Sequence, residues 1–237
     1  MALDPKVLTV VVVTLAVFVA GNAYMIGGGA GTSSTESSIL GEWNMASCAW
    51  YGRDGELNEL NGGGPEAADR RITVDESKNL AFSGSVGGEP VSGSFVGNTI
   101  YVFFETPDGW VKILGQKASE DRLLIAFTKF SDGEILAGSA LYTRDGSMPH
   151  FLPYYGDVSG EWGSISVADS AHPSDAAVHV NIGEQNGAVF RGIVTESGSD
   201  NAYSLVGAMT MLENTPYGTG IAVDGEGRAW TLMERTG

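Results

Sequence analysis

The sequence predicts an all-β protein in which two tandem small antiparallel β modules, each a barrel or a sandwich, follow one N-terminal transmembrane helix. Three observations predict this arrangement: an apolar run near the N-terminus, short apolar segments separated by turn signals, and an internal repeat. After Ile39 no helical period is sustained over three turns, and the chain holds 34 glycines. Abundant glycine between short apolar segments is typical of strands joined by tight turns and bulges.

The N-terminal segment contains an apolar run from Val7 to Ile26. A helix of this length rises about 30 Å, which is the thickness of a bilayer core. The run therefore predicts a membrane anchor within residues 1–26, in contact with membrane lipid through residues 7–26. A cleaved signal peptide is the alternative, because Gly21-Asn22-Ala23 offers small residues where a peptidase would cut.

The residues that flank this run predict its orientation. Lys6 precedes the run, and no basic residue follows it before Arg53. Basic residues favour the cytoplasmic side, so we expect a cytoplasmic N-terminus and periplasmic or extracellular β modules. Residues 27–38, GGGAGTSSTESS, have the composition of a flexible Gly/Ser linker.

The remainder of the chain reads as short strands. Apolar segments such as RRITVDE, NTIYVFFE and RLLIAFTKF are separated by TPDG, ASED and FSDGE. Asp-Gly steps tolerate the positive φ angles that tight hairpin turns require. The pattern therefore predicts antiparallel hairpins.

The internal repeat divides these strands into two copies. Residues 72–86 read ITVDESKNLAFSGSV, and residues 180–194 read VNIGEQNGAVFRGIV, with Glu76 on Glu184 and Gly84 on Gly192. The tripeptide Gly-Glu-Trp precedes both copies. We also expect Val96-Gly97 to correspond to Val206-Gly207, and we expect four aromatic residues in the core: Trp43, Phe82, Trp162 and Phe190.

The repeat predicts the domain organisation. The first module is expected at 39–146 and the second at 158–237, with an aromatic linker at 147–157 between them. The second module is shorter because its sequence lacks room for one further hairpin.

The Gly-Glu-Trp tripeptides at 41–43 and 160–162 carry a family resemblance. Gly-x-Trp at the start of a first strand, followed by a meander of short strands, resembles calycin-type barrels such as avidins and lipocalins. Together with GEQNGAVFRG it also resembles the repeated β domains of uncharacterised membrane-anchored archaeal surface proteins. The biotin-contact residues of avidins have no counterparts in this sequence, so the first resemblance implies a barrel and no particular ligand.

The charge of the chain excludes nucleic acid as a partner. The formal net charge is −16, and only 13 residues are Lys or Arg. Phosphate binding needs clustered basic residues. The single cysteine, Cys48, forms no intrachain disulfide, and we expect it to be a buried small apolar side chain.

Motifs for catalysis or cofactor binding are missing from the sequence, so we expect a protein that is not an enzyme and has no cofactor and no metal. Two groups of possible metal ligands occur, and neither has the spacing of a known site. These residues are His172, Asp175 and His179 for zinc, and Asp54, Glu56, Asn58 and Glu59 for calcium.

The best candidate for a functional surface is the linker, SMPHFLPYYG. Met148, His150, Phe151, Tyr154 and Tyr155 lie there between prolines and a glycine. Aromatic residues with a polar tip are enriched at protein interfaces. The alternatives are that the linker packs across the module boundary or lines a small-ligand pocket.

We therefore expect a non-enzymatic, membrane-anchored extracytoplasmic protein that acts by protein contact. It would be a surface component or an accessory subunit of a membrane complex, with other membrane or surface proteins as partners. A calycin-like barrel that binds a small ligand is the first alternative, and an exported enzyme is the second.

Overall fold

The computed structural model describes residues 39–61, 70–78, 80–107, 109–145, 156–162, 166–169, 173–174, 178–196, 202–212, 215–223 and 229–235. The expected anchor and Gly/Ser linker lie outside these residues and stay predictions. Within the described ranges, no helix is long and apolar enough to cross a membrane. Residues Ser37–Gly237 form one compact unit.

The first half of the chain forms a closed barrel. Its strands are β1 (Gly41–Gly52), β2 (Leu57–Asn61), β3 (Ile72–Lys78), β4 (Ala81–Val86), β5 (Glu89–Val96), β6 (Thr99–Thr106), β7 (Gly109–Ser119), β8 (Arg122–Ser131) and β9 (Glu134–Thr143). They hydrogen-bond in the order β2-β1-β3-β4-β5-β6-β7-β8-β9, and β1 also pairs with β9. Strands β1 and β3–β9 thus close an antiparallel barrel, called the first barrel below. The all-β prediction is confirmed, and for this half the barrel alternative is the correct one.

The second half of the chain forms a separate antiparallel sheet. Its strands are β10 (Gly160–Trp162), β11 (Ser166–Asp169), β12 (Pro173–Ser174), β13 (Val178–Asn186), β14 (Val189–Glu196), β15 (Ala202–Leu212), β16 (Thr215–Val223) and β17 (Ala229–Arg235). Their order is β10-β13-β14-β15-β16-β17-β11-β12. Strands β10 and β11 lie near opposite ends of this order, although only residues 163–165 separate them in the sequence. The Cα atoms of Trp162 and Ser166 are therefore at most about 15 Å apart, and the second sheet must curl until its ends approach each other.

The strand registers confirm the internal repeat. Trp43 pairs with Ile72 in the first barrel, and Trp162 pairs with Val180 in the second sheet. The β3–β4 and β13–β14 hairpins have the same register, and both contain a bulge one residue before the repeated glutamate. The two copies are thus structural equivalents as well as similar sequences.

One predicted correspondence is wrong. Phe82 pairs with Gly93, and Phe190 pairs with Gly207, so the counterpart of Gly207 is Gly93 and not Gly97. The reason is the length of a connection. Val86 pairs with Glu89, three residues on, whereas Val194 pairs with Tyr203, nine residues on. Both phenylalanine rings lie over the paired glycine, where a Cβ atom would collide with the ring.

The core of the first barrel is filled by side chains from every strand of its wall. Trp43, Phe82, Ile113 and Ile125 belong to one contiguous buried cluster, which also encloses Cys48. Phe190 is buried in a separate cluster inside the second sheet. The core predictions for Trp43, Phe82 and Phe190 are confirmed, whereas the Trp162 side chain lies outside what the structure describes.

A third core joins the first barrel to the second sheet. Because side chains alternate along a strand, the neighbours of interior residues point outward. Outward-facing apolar residues of both units form this shared cluster: Ala49, Tyr51, Trp110, Ala126, Ile135 and Ala137 from the first barrel, and Val189, Val206, Ala208 and Ile221 from the second sheet. Alanine at four of these positions allows the two walls to approach closely.

Candidate functional site

The predicted interface residues of the linker lie outside the described residues. They are Met148, His150, Phe151, Tyr154 and Tyr155, and their role as an interface stays a prediction. The structure does describe the residues on both sides of this segment. These flanking residues hold the two ends of the segment in place.

The N-terminal flank is fixed to the first barrel at the end where β1 begins. The Arg144 guanidinium lies 3.6 Å from the centroid of the Trp43 ring, in cation–π geometry. Arg144 also donates a hydrogen bond of 3.2 Å to the Glu42 carbonyl, and the Trp43 indole donates one of 2.9 Å to the Ile39 carbonyl. The Asn44 amide donates to the Arg144 carbonyl at 2.9 Å. Arg144 is therefore held by both its side chain and its backbone.

The C-terminal flank is fixed to the second sheet. The Gln185 amide nitrogen donates to the Gly156 carbonyl at 2.7 Å, and its amide oxygen accepts a hydrogen bond of 2.7 Å from the Val158 backbone. Val158 is buried in the core cluster of that sheet. The ten residues between Asp145 and Gly156 thus start and end at well-anchored points.

The opposite end of the first barrel has a partly interrupted wall. Among the described residues, the β5–β6 ladder ends at the Gly93–Val102 pair, so Phe103–Thr106 have no partner on that side. Strand β2 likewise pairs only with β1 within the described part of the chain. Interior side chains are half-exposed at this end.

Four of these half-exposed residues are aromatic or branched apolar residues: Trp50, Phe104, Val111 and Phe127. Phe104 and Val111 face each other across β6 and β7. The Arg70 guanidinium lies 5.1 Å from the centroid of the Trp50 ring. This end therefore presents apolar surface beside one cation.

A polar cluster bridges the first barrel and the second sheet. The Tyr51 hydroxyl donates to Glu184 Oε1 at 3.1 Å, and Arg191 Nε donates to Glu184 Oε2 at 2.7 Å. Arg191 Nη1 also donates to the Gly55 carbonyl at 2.9 Å. Burial raises the pKa of Tyr51, and so does its hydrogen bond to the Glu184 carboxylate. The cluster fixes the two units at the edge of their shared apolar core.

The sequence reasoning missed this cluster, although a signal was present. Arg191 occupies the position that Ser83 has in the first copy, immediately after the repeated phenylalanine. The two copies differ in chemistry at this position, with serine in the first and arginine in the second, and this difference indicates the contact.

The residues considered for calcium have another use. Asp54 Oδ1 accepts a hydrogen bond of 3.0 Å from the Glu56 backbone, and the Asn58 amide donates to the Glu56 carbonyl at 3.2 Å. These bonds stabilise the turn between β1 and β2. In the described part of the chain, no group of three His, Cys, Asp or Glu could hold a metal ion. His172 and Asp175 lie outside the described residues.

The cysteine has the environment of a structural residue. Cys48 is buried inside the first barrel, as predicted, and burial raises the pKa of its thiol to about 12. A thiol of this kind is protonated at neutral pH and is a poor nucleophile.

Comparisons with known proteins identify no family. No protein-family model matches the sequence, and no curated protein matches it. Among solved structures, the chain is similar to a protein of unknown function from the DUF3598 family of Nostoc punctiforme. The two sequences are 14% identical, the match covers 84% of this chain and 96% of that protein, and the TM-score is 0.35. The chain is also similar to a proposed thioesterase II of Thermobifida fusca, with 10% identity, coverage of 69% and 95%, and a TM-score of 0.18. Both superpositions are too loose to assign a class of protein beyond the all-β architecture described above.

Proposed function

We propose that the protein is a non-enzymatic, membrane-anchored extracytoplasmic protein that acts by contact with other membrane or surface proteins. The observation that carries the proposal is the filled interior of the first barrel, where one contiguous cluster includes Trp43, Phe82 and Ile113. A barrel packed in this way offers its outer surface and its loops to a partner. The net charge of −16 favours a partner with a basic surface.

The linker is the surface that best fits such a partner. Phe151, Tyr154 and Tyr155 lie between two flanks that are held by Trp43 and Gln185. Fixed ends lower the entropy lost when a segment binds, so the aromatic residues can contribute more of their contact energy to affinity. Aromatic residues frequently dominate the energetics of interfaces.

Replacement of Phe151, Tyr154 and Tyr155 by serine is expected to lower recovery of a membrane partner by at least about tenfold. Recovery is measured after crosslinking in native membrane, detergent solubilisation and pull-down of the tagged full chain. The matched control is serine at Leu40 and Leu80, which are exposed leucines in the first module. Equal recovery with the triple variant and the control would contradict the linker as the contact surface.

The apolar run from Val7 to Ile26 supports the anchor, and Lys6 before it supports a cytoplasmic N-terminus. The full chain is expected to stay in the membrane pellet after carbonate extraction. Protease added outside intact cells is expected to cleave the β modules. Recovery of a soluble mature product that begins near Tyr24 would replace the anchor with a cleaved signal peptide.

A small-ligand barrel is the second candidate, and the interrupted end of the first barrel favours it. Trp50, Phe104 and Val111 are half-exposed there, beside Arg70. Such a site suits a small apolar molecule with an acidic group. Native mass spectrometry of the protein purified from its own membrane tests this candidate, because a stoichiometric small molecule lost in Phe104→Ser would favour it over contact.

A further inference from the structure

The wall of the first barrel is interrupted between β5 and β6, and the second copy shows how the equivalent strands stay paired. With Gly93 matched to Gly207, the β15–β16 ladder continues for three pairs beyond the position at which the β5–β6 ladder ends. These three pairs are Val206–Ile221, Leu205–Ala222 and Ser204–Val223. Their counterparts lie outside the β5–β6 ladder: Ser92 and Phe103, Val91 and Phe104, Pro90 and Glu105.

Two differences between the copies account for the early end of the β5–β6 ladder. Pro90 stands where the second copy has Ser204. Proline has no backbone N–H, so it cannot donate a hydrogen bond to the Glu105 carbonyl. In addition, the large Phe104 side chain stands where the second copy has the buried Ala222. Strand β5 therefore cannot pair fully with this part of β6.

The alternation of hydrogen bonds along β6 shows which backbone groups are left at its edge. The Lys117 N–H donates to the Asn98 carbonyl at 2.7 Å, so the even-numbered positions along β6 bond to β7. The backbone groups of Glu105 point the other way, toward β5. Within the described part of the chain, neither its N–H nor its carbonyl has a ladder partner on that side. An added strand would satisfy both groups.

Apolar side chains flank this edge on both faces of the wall. Phe103 is 36% exposed on the outer face, where its ring stacks on Trp110 of the shared core with the centroids 6.2 Å apart. Phe104 is half-buried on the inner face, against the core of the first barrel. Successive side chains of a strand alternate between faces, so a strand paired with β6 would cover both rings.

The charge at the edge favours a basic residue in the added strand. Glu105 is exposed and forms no ion pair with any residue that the structure describes. Glu89, at the start of β5, is exposed as well. Opposite charges on directly opposed residues stabilise an antiparallel pair. The sequence that fits the edge is therefore a basic residue followed by two apolar residues.

We propose that the edge of β6 from Phe103 to Thr106 binds an extended segment of another protein as an added antiparallel strand. The basic residue of that segment lies opposite Glu105, and its two apolar residues lie opposite Phe104 and Phe103. The inference goes beyond the proposed contact through the linker. The two surfaces consist of different residues, so either contact can fail while the other stands.

The strand that completes the equivalent ladder supplies the probe. The probe is a fluorescein-labelled synthetic peptide with the sequence of residues 202–208, AYSLVGA, carrying Ser204→Lys. The register of β15 puts its lysine opposite Glu105, and its leucine and valine opposite Phe104 and Phe103. Binding to the purified full chain is measured by fluorescence anisotropy, with detergent alone as the blank. Saturable binding is expected, and its absence up to about 1 mM protein would overturn the proposal.

Methylation of single backbone nitrogens distinguishes strand addition from unspecific apolar contact. In the added strand, the N–H of the lysine faces the Glu105 carbonyl, whereas the N–H of the following leucine points away from β6. A methyl group on the lysine nitrogen is expected to raise the dissociation constant at least about tenfold. A methyl group on the leucine nitrogen is expected to change it by less than about threefold. Equal effects of the two methyl groups would contradict an added strand.

Variants of the protein test the same edge from the other side. Pro90→Ser/Phe104→Ala gives the first copy the residues that pair in the second, and is expected to weaken peptide binding at least about tenfold. Glu105→Gln is expected to weaken binding of the lysine peptide more than binding of unchanged AYSLVGA, whereas Glu134→Gln, at the start of β9, should affect neither. Undiminished binding to folded P90S/F104A would overturn the proposal. If this variant loses its β-sheet circular dichroism, Pro90→Ser alone is measured, with the same expectation.

Discussion

Lys112 lies on the outer face of β7, where it pairs with Phe103 on β6 and with Thr128 on β8. The residue is buried, and burial lowers the pKa of its ammonium group to about 7. A charged amine loses hydration when it is buried, so the neutral form is favoured. The lysine therefore links the free energy of unfolding to pH in a range where few other groups titrate.

The sign of this linkage is defined by proton binding in the two states. Between pH 7 and the ordinary lysine pKa, the unfolded chain holds a proton that the folded chain has released. The free energy of unfolding is therefore expected to rise from pH 7 to pH 9, by up to about 1 kcal/mol per pH unit. Lys112→Met is expected to remove this slope, whereas Lys129→Met, at an exposed position of β8, should retain it. Urea denaturation at pH 7, 8 and 9 measures the slopes, and a wild-type curve as flat as that of Lys112→Met would contradict the prediction.

At the residue scale, the sequence predicted the core residues that occur in both copies and did not predict the contacts made by residues that occur in only one copy. Trp43, Phe82 and Phe190 were identifiable as core residues because the sequence repeats an aromatic residue at the same position in both copies. Tyr51 and Arg191 were not identifiable as partners. Their contact depends on how the second sheet packs on the first barrel, and no local pattern encodes that geometry.

At the scale of elements, each bulged hairpin depends on one glycine. A Cβ atom at Gly84 would collide with the Thr73 carbonyl, and one at Gly192 would collide with the Asn181 carbonyl. The bulge brings the two strands close at this point and increases their local twist. Gly84 and Gly192 were visible in the sequence because they recur in both copies. Gly207 was matched to Gly97 instead of Gly93, because the length of the connection before it differs between the two copies.

Gly192→Ala is expected to lower the free energy of unfolding by at least about 2 kcal/mol, because the strands must separate to admit the methyl group. Gly183, in the bulge of β13, is the matched control, since a Cβ atom there would meet no atom within 4 Å. Gly183→Ala is expected to change the stability by less than about 1 kcal/mol. Equilibrium denaturation measures both variants. Equal effects at the two positions would show that close strand approach is not what Gly192 provides.

The turns between strands were the most predictable elements. Asp132 and Gly133 both have positive φ angles, 51° and 78°, as the Asp-Gly step in FSDGE predicted. This success is local, because the two central residues alone determine such a turn. Strand pairing across long connections, as between β14 and β15, is decided by tertiary packing and escaped the sequence reasoning.

At the scale of the whole molecule, two modules were expected, and the shared core between them was not. The outward alanines at 49, 126 and 137 carry no signal in a single sequence, since a small apolar side chain is compatible with an exposed or a buried strand face. Only the structure reveals that they face Val189, Val206 and Ile221. The polar cluster around Glu184 contains half-exposed side chains and contributes less to stability than this apolar contact.

The shared core predicts that the first barrel and the second sheet unfold together. Val206 is buried between them, and Ser92 is its counterpart in the first copy. Differential scanning calorimetry of the full chain is expected to give one transition for the β modules, with equal calorimetric and van't Hoff enthalpies.

Val206→Ser removes apolar contact and buries a hydroxyl at the junction, at a cost of about 2–4 kcal/mol. We expect this variant to unfold in two separate transitions. The control is Val194→Ala, inside the second sheet and away from the junction, which should lower the transition temperature without dividing the transition. A single undivided transition for Val206→Ser at the wild-type temperature would mean that the shared core does not couple the two units.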